Sequence, residues 1–377
     1  MSAAAWQDYC MSNPEKTRGL ASLSQSIFAS LGLPATNNDL SLGDNQRVAL
    51  VLIDGLGYNS LLTYQDQFPI FKTLCMEKPL NSHFPTTTAT NLVSLGTGEL
   101  PGVHGMLGYT VRVPFTGDPG RLLNALKWDE RVDPVIWQSV PTLYERAISH
   151  GVAVSHVAEK RFDGSGFTRA GARGATYRGA NSLNDMVLSA VEAHRSARSY
   201  SFIYLNNIDK SGHSEGVGSE KWLAALDLVA QLLTALIERL PPDTQIYLTS
   251  DHGMVNVDEK VILGAENTLL ENVTLIGGEA RARHIYLRAG SELDTAEAWR
   301  HYFGDKVEIF TKADAHLLFG EVVTDSALAR MGDLIAVPRG GLVLLDPAIA
   351  DRESKMVGHH GGFTQDEVLI PLLSYRT

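Results

Sequence analysis

Five short runs are apolar at nearly every position: 48–53, 152–157, 202–205, 245–249 and 342–345. Strands that alternate apolar and polar residues keep one face in water, whereas uninterrupted runs suit strands covered on both faces, as in a parallel sheet between helices. The intervening stretches carry the 3.6-residue period. The segment 141–149 opens with Pro141 and stops before Gly151, 184–195 places Met186, Val187 and Val191 on one face, and 221–240 repeats that pattern at greater length. Alternating β and α elements of this kind predict an α/β fold with a mostly parallel central sheet sandwiched by helices.

The pattern changes over 258–339. Short strands are predicted at 273–276, 284–287 and 307–310, a helix at 295–302, and a hairpin over 334–345 turning at Arg339-Gly340. This reads as a small inserted α+β cap, with 1–257 plus 340–377 forming the core.

Composition then narrows the class. The chain has 377 residues, 44% hydrophobic and 20% charged, enough for a large buried core and too mixed for disorder or low complexity. Its formal net charge of −11 argues against a nucleic-acid duplex or an anionic membrane as partner, since binding to either starts from a basic face. Two cysteines, Cys10 and Cys75, make neither a disulfide framework nor a CxxC pair. The first twenty residues lack the basic start and apolar run of a signal peptide, and no apolar stretch reaches the ~18 residues of a membrane span. The expectation is a cytoplasmic protein.

Candidate chemistry gathers at strand ends. The segments VLIDGLG (51–57), YLNNIDKSGH (204–213), LTSDHGM (248–254) and GHHGGF (358–363) offer Asp54, Asp209, His213, Asp251, His252, His359 and His360. In open α/β sheets ligands bind beyond the carboxyl ends of the strands, so residues this far apart can converge there. Aspartate and neutral histidine are ligands that zinc or manganese accepts, and six are enough for two ions with open positions. Any one Asp-His or Asp-Gly pair is by itself an ordinary turn or cap feature. A fifth segment, HFPTTTATNLVSLGTGELPGVHG (83–105), sets Thr86, Thr87, Thr88 and Thr90 at a predicted helix start. These threonines either form an N-cap and polar turn or place a hydroxyl where a helix N-terminus favours an anion and a metal can activate it.

Taken together, FPTTTATN with LGTGELPGVHG, DKSGH, SDHGM and the final HHGG resemble the alkaline phosphatase superfamily, specifically its nucleotide pyrophosphatase/phosphodiesterase (type I phosphodiesterase) branch. The resemblance implies Thr88 as nucleophile. It further implies Asp54, Asp251 and His252 as ligands of the ion that activates Thr88, and Asp209, His213 and His360 as ligands of a second ion. His360 is preferred to His359 because it directly precedes Gly361. The implied cofactor is a pair of divalent ions, zinc or else manganese. The implied reaction splits phosphodiester or pyrophosphate bonds of small phosphate esters or nucleotides through a covalent phosphothreonine. Two ions ~3.5–4 Å apart can stabilise the attacking and leaving oxygens of such a displacement together. Their charge, concentrated in one cleft, reconciles a negative chain with an anionic substrate.

The sequence departs from the branch at Tyr109. Members carry an asparagine there whose amide helps hold the phosphoryl oxygen, so the Tyr109 phenol either donates that hydrogen bond or packs as a core aromatic. The neighbouring alternatives are a phosphonoacetate-hydrolase-like activity, which also uses threonine and two zinc ions, a phosphomonoesterase of the same superfamily, and a metal- or phosphate-binding protein without catalysis. Outside the ligand set, His83, His104, His150, His156, His194 and His301 read as surface or satisfied core histidines. Trp128, Trp137 and Tyr144 read as packing unless one lines the leaving-group pocket, and Arg281, Arg283 and Arg339 as solvated arginines unless they touch a phosphate.

Overall fold

The computed structural model describes residues 18–117 and 120–377; Cys10 lies outside them, and Cys75 is an exposed free thiol. The centre is a seven-stranded mixed sheet. Its order is Cys75–Met76, Leu372–Arg376, Thr244–Thr249, Arg47–Ile53, Ser199–Leu205, Ala153–Glu159, Thr176–Ala180. The last five are mutually parallel, and Leu372–Arg376 and Cys75–Met76 add an antiparallel margin.

Arg47–Ile53 shows why the run is apolar throughout. Ala49, Val51 and Ile53 face a core with Trp222, Leu226, Val229 and Leu233, while Val48, Leu50 and Leu52 face another with Phe28, Leu95 and Tyr144. Both faces are dry, so alternation has no role. Three of the helices that flank the sheet start on side-chain caps. Thr142 caps Leu143–Ser149 in a capping box with Glu145, Ser182 caps Leu183–Ala193, and Ser219 caps Glu220–Arg239. Pro141 therefore precedes the first cap instead of lying in its first turn. No helix among the described residues is long and apolar enough to cross a membrane.

After Thr249 the chain builds a four-stranded antiparallel sheet in the order Val273–Glu279, Ala282–Leu287, Leu334–Pro338, Val307–Thr311. Glu292–Phe303 covers one face through Trp299, and the other face packs Ile335, Val337 and Phe310 against Phe84, Ala89 and Met106 beside the threonine segment.

The predicted hairpin over 334–345 does not form. Leu334–Pro338 joins the four-stranded sheet, whereas Leu342–Leu345 pairs in parallel with Glu259–Ile262, outside the central sheet. Every residue of both runs is buried, so each needs cover on two faces, and a two-stranded hairpin would leave one bare. The ladder between Glu259–Ile262 and Leu342–Leu345 joins strands from either side of the expected junction at 339/340.

Candidate active site

Asp54 follows the end of Arg47–Ile53, and its main chain is the hub of the site. Its N–H donates to the carbonyl of Leu205 at 2.8 Å, and its carbonyl accepts from the N–H of Asp209 at 3.1 Å. Two adjacent parallel strands thus deliver Asp54 and Asp209 side by side. Gly55, at φ +78°, makes room: a Cβ there would lie 3.0 Å from Cα of Asp209. Asp251 and His252 follow Thr244–Thr249 on the other flank, where Oδ1 of Asp251 accepts from the N–H groups of Gly55 (3.2 Å) and His252 (3.0 Å).

The expected ligands form two clusters. In each of Asp54/Asp251/His252 and Asp209/His213/His360, the ligand atoms lie within 4.8 Å of one another. His359 belongs to neither. All three ring Nδ1–H groups are taken by main-chain carbonyls: His213 donates to Gly358 at 2.8 Å, His360 to Thr86 at 2.8 Å and His252 to Gly253 at 3.0 Å. Each Nε2 is thereby turned into the cluster, the arrangement that orients a metal-ligating imidazole.

The acidic oxygens also fit cations. Oδ2 of Asp251 is buried without a hydrogen bond, and so is Oδ1 of Asp209, although Nε2 of His213 and of His360 stand 3.2 and 3.6 Å from it. Burial disfavours charge on His252, yet the carboxylates of Asp251 and Asp54 outweigh it and hold the ring up to about 10. Burial, reinforced by the Asp54 charge, pushes the Asp251 carboxyl up to about 8. Three crowded carboxylates, two of which keep a buried oxygen without a donor, beside three oriented imidazoles, fit two divalent ions.

Thr88 is the first residue of the buried helix Thr88–Thr97. Its Oγ1 donates to Oδ1 of Asp54 at 3.3 Å and lies 3.2 Å from Nε2 of His252. Thr87 holds the N-cap position without a side-chain cap bond, so capping does not explain the threonine run. Thr86 instead accepts from the N–H of Gly361 and donates to the carbonyl of Gly362, both at 3.0 Å, fastening the Thr88 loop to the His360 loop. Asn91 braces the loop from inside. Its Oδ1 accepts from the N–H of His83 at 2.7 Å and its Nδ2 meets the carbonyls of His83, Pro85 and Thr87.

A cavity of about 480 Å³ opens beside Thr88. Thr88, Asp54, Asn206, Asp209 and Tyr109 are among its lining, and Leu92, Phe162, Phe167 and Phe202 give it apolar walls, with Arg161 and Lys127 also on its lining. Tyr109 thus borders the site, while its main-chain N–H donates to Oε2 of Glu279 at 3.0 Å. Glu279 ends a strand of the smaller sheet, and burial pushes its carboxyl up to about 8 against the opposing pull of that N–H.

Three further expectations need correction. Arg281 and Arg283 are buried, not solvated, and neither is free to meet a phosphate. Arg281 forks onto Glu367 at 3.0 and 2.7 Å, and Arg283 bonds Glu353 at 2.5 Å. Arg339 pairs with Glu308. His156 is buried, but neither ring nitrogen has a partner, so it is not a satisfied core histidine. His104 and His194 are satisfied, by Ser94 and by Ser199 with Ser201. Trp137 and Tyr144 are buried, Trp137 beneath the Arg330 guanidinium at 3.8 Å and Tyr144 against Phe28 and Tyr200; Trp128 is half-buried with its indole N–H on the carbonyl of Val132. The residues missed from sequence are Tyr204, whose hydroxyl donates to Oδ2 of Asp54, together with Asn91, Asn206 and Glu279. Tyr204 and Asn206 lie in the segment that carries Asp209 and Asn91 in the one that carries Thr88, whereas Glu279 had no such signal.

Solved structures share this fold. Murine ectonucleotide pyrophosphatase/phosphodiesterase 5 superposes at a TM-score of 0.67 with 17% identity, and an inactive threonine-to-alanine form of it, in complex with AMP, at 0.68 with 16%. The human protein superposes at 0.67 with 20% identity, and each comparison covers 88% of both chains. No curated relative matches the chain at the level of sequence. The type I phosphodiesterase/nucleotide pyrophosphatase family, however, matches residues 48–363, a span that contains all four ligand segments and Thr88. A match of that extent, on this fold, makes the chain a member of the type I phosphodiesterase/nucleotide pyrophosphatase family, a branch of the alkaline phosphatase superfamily.

Proposed function

We propose that the protein hydrolyses phosphodiester or pyrophosphate bonds of small nucleotide-like substrates, with Thr88 as nucleophile and two zinc ions as cofactors. The observation that carries this reading is the seat of Thr88, whose hydroxyl touches two members of one Asp/His cluster and opens onto the cavity. When bound, divalent ions supply positive charge that lowers the hydroxyl's pKa and offsets charge on the phosphoryl oxygens.

The chain's own residues do the rest. Asp54, Asp251 and His252 would hold one ion, and Asp209, His213 and His360 the other. Asp54 Oδ1 accepts the Thr88 hydroxyl hydrogen, which leaves the oxygen's lone pairs free for phosphorus. The new P–O bond to Oγ1 forms as the bond to the leaving group breaks, and water then attacks the phosphothreonine and restores Thr88. The apolar walls favour a leaving group with a flat or apolar body. Tyr109 borders the same space, where its phenol can reach the substrate. AMP sits on the inactive form of the murine relative, and a threonine is what this reading makes indispensable here.

The test is turnover of zinc-loaded protein on bis-nitrophenyl phosphate beside phosphonoacetate. Nitrophenol release that disappears in Thr88→Ala, with zinc content unchanged, supports the reading. Acetate release without nitrophenol would favour the phosphonate hydrolase, and unaltered turnover in Thr88→Ala would move the chemistry elsewhere.

A further inference from the structure

Asn206 stands at the N-cap position of Asn207–Glu215, where asparagine ordinarily accepts a hydrogen bond from the helix's first N–H groups. It makes no such bond. Its Oδ1 is buried without a partner, and its side chain has no hydrogen bond with any described residue, although the residue is only 9% exposed. A buried carbonyl oxygen left unpaired is destabilising and calls for a task, and the Nδ2 beside it has neither a protein partner nor complete burial, which leaves it open to a ligand.

Its position supplies the task. The flanking residues Leu205 and Asp209 are both hydrogen-bonded to the main chain of Asp54, whose carboxylate holds Thr88. Asn206 therefore cannot drift from the level of the nucleophile, and it lines the same cavity. That end of the cavity is crowded with acceptors, Asp54 and Asp209, and the Tyr204 hydroxyl is already committed to Asp54. A phosphodiester under attack gathers negative charge on its non-bridging oxygens, and a fixed donor there acts chiefly on the transition state.

We infer that Asn206 is a catalytic residue whose Nδ2 donates a hydrogen bond to a non-bridging oxygen of the phosphoryl group being transferred to Thr88. This rests on the phosphodiesterase reading of the site. Unlike the ligands, Asn206 contributes to charge stabilisation without contributing to metal retention.

The experiment compares zinc-loaded wild type, Asn206→Ala and Asn206→Asp. Its readouts are zinc content, turnover of bis-nitrophenyl phosphate and calorimetric affinity for orthovanadate, which takes up the geometry of the transferred group. Asn206→Ala should retain zinc and fold, lose about 100-fold in kcat/KM, mostly through kcat, and bind orthovanadate at least ~10-fold more weakly. Asn206→Asp keeps the shape but presents a carboxylate, and should lose as much. If either folded variant stays within twofold of wild type in both turnover and orthovanadate affinity, the inference is overturned; the near-isosteric Asp variant decides it should the Ala variant not fold. If wild type cleaves no diester, the phosphodiesterase reading fails by itself, and the orthovanadate comparison still judges Asn206.

Discussion

Tyr204 donates its hydroxyl to Oδ2 of Asp54 from the neighbouring parallel strand, where it lies in register with Leu52. Since Oδ1 of the same carboxylate faces Thr88, the phenol fixes the plane in which Asp54 meets that hydroxyl and, on the proposed reading, a metal ion. Tyr204→Phe keeps the buried ring and removes only that donor. Zinc affinity, read by chelator competition, should fall about 10- to 100-fold, with thermal stability little changed. An unchanged affinity would show that Asp54 is oriented without it.

Gly253 follows His252 with no space for a side chain. A Cβ there would lie 1.9 Å from the carbonyl oxygen of Asp366 and 2.7 Å from Cα of Gly57. Gly253→Ala must displace main chain beside a ligand, so zinc retention after dialysis should drop together with turnover, and stability by about 1–3 kcal/mol. A variant that still holds its full zinc would refute the tight fit.

Arg281 and Glu367 form a fully buried pair whose carboxylate also accepts from the N–H of Gly362, close to His360. Removing one partner strands a charge. Glu367→Ala should cost about 3–5 kcal/mol in chemical denaturation, whereas Arg281→Met combined with Glu367→Leu should recover much of it. Equal losses in both variants would mean that the hydrogen bonds, not the stranded charge, dominate.

His284 is held neutral in the interior, its pKa lowered to about 4 mainly by burial. It donates to the carbonyl of Leu107 and accepts from the N–H of Gly332. The unfolded chain titrates near 6.5, so between that value and about 4 it binds the extra proton and the native state does not. The stability owed to His284 is therefore complete above pH 6.5 and lost as pH falls through the window. His284→Gln, which can still donate and accept, should flatten the decline in denaturation midpoint between pH 6.5 and 4. An identical slope would place the acid sensitivity elsewhere.

How much of this was visible beforehand follows burial. The central parallel strands were legible because two dry faces force an unbroken apolar run. Thr176–Ala180 was not, because it is the margin of the sheet and only Ala180 is buried. Leu334–Pro338 and Leu342–Leu345 looked like one hairpin because proximity in sequence mimics pairing, while their complete burial required separate partners. The two Asp/His clusters could be anticipated because four such segments recur at strand ends, although each alone is an ordinary turn feature. Tyr204, Asn91 and Glu279 meet partners 4 to 170 residues away, and sequence records those contacts at most by placing Tyr204 and Asn91 in the segments that carry Asp209 and Thr88.

The three imidazoles of the two Asp/His clusters are steadied by carbonyl oxygens of Thr86, Gly253 and Gly358, and a carbonyl is supplied by every amino acid. The aim of these rings depends on the course of the chain and not on any partner side chain that would have to change in step. Side chains around such rings can be exchanged without turning them, provided the chain keeps its course.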